Sequence, residues 1–322
     1  MYRSPPDASM QTADRLRRAL GNPKLFARGC NRAYHRRGGR RSANPRGMDV
    51  FDADWDTLVV LDACRYDMFA EQNHLAGTLT PRESRGSATS EWLRANVDGR
   101  DLRDTVYVTA NPQLARHRED WDVNLHETVD VWRGEGWDDE AGTVRAETMT
   151  AVGRRAHETS AHKRVVVHYM QPHYPFVPAA TEIGAGHLDA LAGGEGADLG
   201  ENVWNRKFLG DLAISRETLW EYYRDNLDYV LDHVEDLLAA ISGKAVVTAD
   251  HGNYVGERSS PLPIREFGHP RGIYDDPLVR VPWLECPFEE RREVVTGTVS
   301  DTEPEGDVAE VTDRLRALGY AE

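Results

Sequence analysis

Four short apolar runs, each followed at once by polar residues, restrict this chain more than any other feature. They are Thr57-Leu58-Val59-Val60-Leu61, Val106-Tyr107-Val108-Thr109, Arg164-Val165-Val166-Val167-His168-Tyr169 and Ala245-Val246-Val247-Thr248-Ala249. A strand covered on one face alternates apolar and polar residues, whereas a strand covered on both faces is apolar almost throughout, as in a parallel sheet held between helices. Between the runs lie stretches with helical periodicity, roughly 90–97, 143–161 and 216–241. In the last, Leu219, Tyr223, Leu227, Val230, Val234, Leu237, Leu238 and Ile241 recur at three- and four-residue steps, so one side of a helix there is apolar. The alternation predicts an α/β fold with a mostly parallel central sheet and helices on both faces.

Charge divides the chain unevenly. The net charge is -15, yet residues 1–48 carry twelve Lys and Arg against two Asp and Glu, a balance of +10 that leaves -25 on the rest. The expected organisation is a basic N-terminal arm (1–48), a catalytic domain (49–290), and an acidic linker with a C-terminal helix (291–322). Within the arm, residues 1–10 read as disordered and Thr12 to Leu20 as a short capped helix ending at Gly21. Arg28 to Arg46, broken by Gly38, Gly39 and Pro45, reads as a solvated stretch packed loosely on the acidic body; the sharper alternative is a contact with anionic lipid or a partner. Residues 181–212, rich in Gly and Ala, read as a long insertion or lid.

An acidic body repels phosphates, sulfates and nucleic acids at long range, so nucleic acid is not an expected partner. An anionic ester would need a locally positive site such as a metal. Only Lys24, Lys163, Lys207 and Lys244 among the 39 basic residues are lysine, a balance that resembles proteins of salt-loving archaea. Cys30, Cys64 and Cys286 have no CxxC spacing, which argues against a disulfide framework or a cysteine metal knot. No stretch approaches the ~20 apolar residues that span a bilayer. A cytoplasmic protein is expected, with any peripheral membrane contact made through the basic arm.

In an open α/β sheet, ligands gather beyond the carboxyl ends of the strands. Asp62 follows the first run, in Leu61-Asp62-Ala63-Cys64-Arg65. His168 and then Gln171-Pro172-His173-Tyr174-Pro175 close the third, Asp250-His251-Gly252 follows the fourth, and Gly268-His269-Pro270 comes later. Taken singly, an Asp after a strand caps the next helix and a His is a hydrogen-bonded core residue. Two carboxylates and several imidazoles on one sheet edge suit a divalent metal with oxygen and nitrogen ligands, Zn²⁺ or Mn²⁺ above a thiolate-seeking ion.

These segments resemble the alkaline phosphatase and sulfatase superfamily. Ala249-Asp250-His251-Gly252 is similar to its metal-binding signature, the Asp62 segment to its first strand with the first metal carboxylate, and Gln171-Pro172-His173-Tyr174-Pro175 to the His-x-Pro-His-x-Pro segment of sulfatases. Gly268-His269 resembles its late histidine, and the closing Arg314-Leu315-Arg316-Ala317-Leu318-Gly319-Tyr320 the ending of many sulfatase-like chains. Gly86-Ser87-Ala88-Thr89-Ser90, before a helical run, is similar to the threonine segment of lipoteichoic acid synthase-type phosphotransferases.

The resemblance implies a metal-dependent hydrolase or transferase acting on a phosphate or sulfate ester, borne by a glycan or a lipid. It implies one divalent ion, Mn²⁺ or Zn²⁺ with Ca²⁺ or Mg²⁺ as alternatives, held by Asp62, Thr89, Asp250 and His251. The nucleophile is expected to be Thr89, with Ser87 the alternative; either residue also suits a plain helix N-cap. His173 and His269 would bind the ester's oxygens or protonate the leaving group. Arg65 would clamp an anion or simply pair with Asp67. Asn111 would line the pocket or serve a turn. The Cys/Ser-x-Pro-x-Arg setting of true sulfatases is missing, which favours phosphoester chemistry. It also keeps open a catalytically silent relative that binds an anionic glycan or a partner. A mutase-like phosphoryl shuttle would demand a second metal centre, for which the ligands do not assemble.

Overall fold

A computed structural model describes residues 22–183, 203–297 and 308–320 of the chain. The expected helix at 12–20, most of the 181–212 insertion and the acidic segment 300–307 lie outside the described residues.

Nine strands occur among the described residues: β1 (Thr57–Asp62), β2 (Thr78–Glu83), β3 (Arg100–Thr109), β4 (Val123–Asp130), β5 (Arg164–Pro172), β6 (Ala245–Ala249), β7 (Tyr254–Arg258), β8 (Arg265–Gly268) and β9 (Arg280–Glu285). Seven form one sheet in the order β2-β9-β6-β1-β5-β3-β4, and β7 pairs with β8 in a separate hairpin. The four apolar runs occupy four neighbouring central positions, β6, β1, β5 and β3, and pair in parallel. β4 joins in parallel, while β9 runs antiparallel to both β6 and β2. The edge strands β2 and β4 carry half-exposed residues, which is why neither shows the continuous apolar signature of a covered strand.

Each central strand feeds two cores because successive side chains point to opposite faces. Val59, Leu61, Val165, Val167 and Val247 pack with Met149 of the helix Ala146–Thr159 and with Leu227, Val230, Val234 and Leu237 of the helix Arg216–Ala240. Leu58, Val60, Tyr107, Val166 and Val246 pack on the other face with Trp55 and with Trp92, Leu93 and Val97 of the helix Thr89–Val97. The long helix starts at Ser215, whose hydroxyl accepts from the Thr218 N–H as an N-cap should. Burying an apolar side chain of this size contributes about 1.5–3 kcal/mol, so the two faces together fix the sheet.

The N-terminal region departs from the loose arm read in the sequence. Asn22 accepts from the N–H groups of Lys24 and Leu25, Pro23 occupies the first turn, and a helix follows over Pro23–His35. Asn-Pro is an N-cap signal that the basic composition hid. The helix docks on the hairpin: Arg28 is buried and its guanidinium holds the fully buried Glu266 carboxylate at 2.5 Å, while Asn31 Nδ2 donates to Ser259 Oγ. Beyond it, Asn44 and Met48 give backbone hydrogen bonds to Arg85 and Glu83. At the other end, Arg291 binds the buried Asp56 through two nitrogens, at 2.8 Å each. The C-terminal helix expected within 291–322 runs over Val308–Ala317. No helix among the described residues is long and apolar enough to cross a membrane.

Candidate metal centre and active site

The register brings the polar residues to one place. Val60 stands opposite His168 on one side and Thr248 on the other, so the carboxyl ends of β1, β5 and β6 coincide. Asp62 ends β1 at a register shift, and the next residue, Ala63, has φ +60, a left-handed conformation that costs a residue with a Cβ. That turn aims the Ala63 N–H at Asp250 Oδ1, 3.0 Å away.

The two carboxylates are held in the same manner. Asp62 uses Oδ2 to accept from Asn111 Nδ2 (2.7 Å), the Tyr320 hydroxyl (2.9 Å) and the Thr89 hydroxyl (3.3 Å). Asp250 uses Oδ1 to accept from the N–H groups of Ala63 and His251. The other oxygen of each, Asp62 Oδ1 and Asp250 Oδ2, is buried without any hydrogen-bond partner, and so is His168 Nε2. All three side chains are completely buried, and an unmet buried acceptor costs about 1–3 kcal/mol, more when charged.

Histidine 251 closes the group. Its Nδ1 donates to the Gly252 carbonyl at 2.7 Å, which leaves a lone pair on Nε2. Nε2 lies 3.7 Å from Asp62 Oδ1, 3.4 Å from Asp250 Oδ2 and 3.2 Å from the Thr89 hydroxyl. Burial pushes both His251 and His168 down to about 4, so both rings are neutral near pH 7. Burial and the facing Asp250 carboxylate push Asp62 well up, and burial raises Asp250; two such carboxylates cannot both ionise in a dry site without a cation. Asp62, His168 and Asp250 offer ligand atoms that all lie within 4.8 Å of one another. The donor set therefore fits a divalent ion. Gly252, the third residue of the motif, is required because a Cβ there would stand 2.2 Å from the Pro277 carbonyl oxygen.

Thr89 is the first residue of its helix and does not act as the cap, a position held by Ala88 without a side-chain bond. Its hydroxyl instead faces Asp62, His251 and the Tyr320 hydroxyl, 3.1 Å away. Ser87 is engaged elsewhere: its hydroxyl donates to Glu91 Oε2 and accepts from the Gly272 N–H. Glu91 also takes the Ser87 N–H, which fixes the residue before the Ala88 cap, so Ser87 braces the helix start and stands apart from the carboxylates.

His173 and His269 meet through their Nε2 atoms at 2.9 Å. His173 Nδ1 donates to the Tyr174 carbonyl, so the shared proton belongs to His269. Burial, and for His173 the neighbouring His269, keeps both far below the usual histidine range. The His269 ring lies 4.6 Å from that of His251, which joins the pair to the carboxylate cluster.

Arg65 does not reach this group. Its buried guanidinium is held by Asp67 at 2.5 Å, Glu257 at 2.7 Å and the Asn253 carbonyl, over the Trp220 ring. Two carboxylates consume the charge, so the pairing with Asp67 read as its alternative prevails over an anion clamp.

Two residues of the site had no assigned role in the sequence, and a third stood between two roles. His168 was noted only as a strand-end imidazole, although a lone polar residue inside Val-Val-Val-His-Tyr-Met was the signal. Asn111 does both jobs weighed for it, since its Oδ1 accepts from the Gln113 N–H while Nδ2 donates to Asp62. Tyr320 comes from the C-terminal tail, stacks on His173 with ring planes 4° apart, and covers Thr89; only a resemblance of the tail hinted at it.

No protein-family model and no curated protein matches the chain. Among solved structures it is similar to the integral membrane lipooligosaccharide phosphoethanolamine transferase A of Neisseria meningitidis, with 11% identity and TM-score 0.42 over 71% of this chain and 47% of that one. It is also similar to a 2-O GAG sulfatase, with 11% identity and TM-score 0.44 over 71% and 63%. A third is the lipoteichoic acid synthase LtaP of Listeria monocytogenes, with 10% identity and TM-score 0.39 over 82% and 71%. The chain thus spans less than two thirds of the length of the first two. The sequence motifs described above resemble the alkaline phosphatase and sulfatase superfamily.

Proposed function

We propose that this chain is a metal-dependent enzyme of that superfamily that hydrolyses or transfers a phosphate or sulfate ester, with Thr89 as nucleophile. One observation carries the reading: Asp62 Oδ1, Asp250 Oδ2 and His168 Nε2 are buried, unpartnered and gathered beside the Thr89 hydroxyl.

Asp62, Asp250, His251 and His168 would hold the ion, with Thr89 beside them. Bound there, a divalent cation would supply the charge that makes a threonine hydroxyl acidic enough to attack and that offsets negative charge on the ester. Thr89 Oγ1 already has two acceptors for its proton, Asp62 Oδ2 and His251 Nε2. The His269 Nε2–H, held toward His173, would turn to hydrogen-bond an oxygen of the bound ester; being neutral, the ring donates a bond and not its proton. The fully buried surroundings exclude water and strengthen each of these interactions.

A second reading, a catalytically silent binder, draws on Thr89 being fully buried beneath Tyr320. Metal analysis of the purified chain, with p-nitrophenyl phosphate and p-nitrophenyl sulfate as probes, separates the two. The enzyme reading expects about one Mn²⁺ or Zn²⁺ per chain and turnover lost in Thr89→Ala. A chain that binds no stoichiometric metal and cleaves neither probe would leave the silent binder standing.

A further inference from the structure

A cavity of about 210 Å³ lies against the metal centre, with His269 and Tyr320 in its wall. Four arginines line it: Arg28 and Arg32 from the N-terminal helix, Arg116 from the helix Gln113–His117, and Arg271 from the turn after His269. No Asp or Glu is among the described residues that line it. On a chain of net charge -15, this is a concentrated reversal of sign.

The arginines are placed by the fold. Glu266 and Asn205 hold the Arg28 guanidinium, at 2.5 and 2.8 Å, over the Phe208 ring. Arg32 Nε donates to the Arg271 carbonyl at 2.8 Å, which ties the N-terminal helix to the segment that carries His269. Glu266 offsets the Arg28 charge from behind, and Arg116 and Arg271 share the same concavity. Like charges held together in a walled cleft repel one another and focus a positive potential into it.

Arg271 and Gln113 each leave a polar atom unmet among the described residues. Arg271 Nε is buried without a hydrogen-bond partner, and Gln113 Oε1 is likewise buried and unpaired. A guanidinium donor without an acceptor is costly, and an oxyanion is the ligand that guanidinium groups bind with two parallel bonds. Gln113 Oε1, an acceptor, suits a hydroxyl or a protonated oxygen of the same ligand.

From these features we infer that the cavity binds a second, non-reacting phosphate or sulfate group, carried by the same substrate whose ester is attacked at Thr89. The substrate class is then a doubly anionic ester, and the N-terminal helix is part of the specificity apparatus. The placement of the second group on the substrate rests on the ester reading above; the anion site itself does not.

The test has a binding arm and a kinetic arm, both on the full chain at low ionic strength. In the binding arm, inorganic pyrophosphate is titrated calorimetrically with a chelator present, so that no metal contributes. Wild type binds it, an Arg116→Gln/Arg271→Gln variant binds at least tenfold more weakly, and Arg94→Gln, an exposed partner of Asp98 on another surface, behaves as wild type. No binding to wild type, or equal binding to wild type and the double variant, overturns the site.

In the kinetic arm, phosphate release from glucose 1,6-bisphosphate is compared with release from glucose 1-phosphate in the metal-loaded protein. The double variant loses at least tenfold in kcat/KM for the bisphosphate and stays within twofold for the monophosphate. An equal loss on both overturns the specificity role. If added inorganic phosphate is needed to activate monophosphate turnover, the second anion is a separate ligand and the substrate assignment falls. If neither ester is turned over while pyrophosphate binding still depends on the two arginines, the ester reading fails and the anion site stands.

Discussion

The Tyr320 hydroxyl donates to the Asp62 carboxylate across 2.9 Å, joining residues 258 positions apart. The tail is therefore built into the site, and its ring stacks on His173 while its hydroxyl also meets Thr89 and Asn111. Tyr320→Phe keeps the ring and removes the donor. Asp62 Oδ2 keeps Asn111 and Thr89, so the expected loss is about 1–2 kcal/mol, read by urea denaturation. An unchanged midpoint would show that the bond adds nothing.

Asp250→Asn should separate charge from shape. In the metal-free chain the Asp62 and Asp250 pKa values lie above their unfolded-state value of 3.8. Stability from such groups is complete below 3.8 and is lost as pH rises through the folded-state values. With chelator at pH 7, Asp250→Asn is therefore expected to be at least as stable as wild type, and its advantage to shrink as pH falls toward 4. A chelated variant less stable than wild type at pH 7 would refute the electrostatic account.

Metal should stabilise wild type and leave Asp250→Asn nearly unchanged. Added Mn²⁺ or Zn²⁺ at 100 times its dissociation constant stabilises a native-only binder by about 2.7 kcal/mol. Wild type should show a corresponding rise in Tm and Asp250→Asn little or none, because one of the two bare carboxylate oxygens is replaced. Equal rises in both would place the ion elsewhere.

Thr89→Ala and Ser87→Ala should differ in kind. Loss of a nucleophile lowers kcat by about a thousandfold or more, whereas loss of Ser87 removes a bond at the helix start and costs about 1 kcal/mol of stability. Paired kinetics and thermal melts check this. Full activity in Thr89→Ala would exclude its hydroxyl as the attacking group.

Arg28→Met should destabilise strongly for so small a change in volume. It leaves Glu266, completely buried, without its cation, and breaking a buried pair from one side costs about 3–5 kcal/mol. A double change with Glu266→Leu should recover much of that loss, as denaturant titration would show.

The sequence alone determined the centre of the sheet. Thr57–Leu61, Val106–Thr109, Arg164–Tyr169 and Ala245–Ala249 announce covered strands because a strand between two helix layers has no polar face to display, and Asp62, Asp250 and His251 were legible because they follow such strands at once. β2 and β4 escaped because edge strands are half exposed, and the helix Pro23–His35 because its buried face is made by Arg28 and Asn31 rather than by apolar residues. Only the tertiary structure decided that Arg65 pairs with Asp67 and Glu257, that Ser87 braces the turn before the helix, and that Tyr320 and His168 join Asp62. The reason is physical: periodicity along a chain reports which side of an element is buried, but the partner of a buried polar group is chosen across space, by elements hundreds of residues apart that the core packing brings within hydrogen-bond distance.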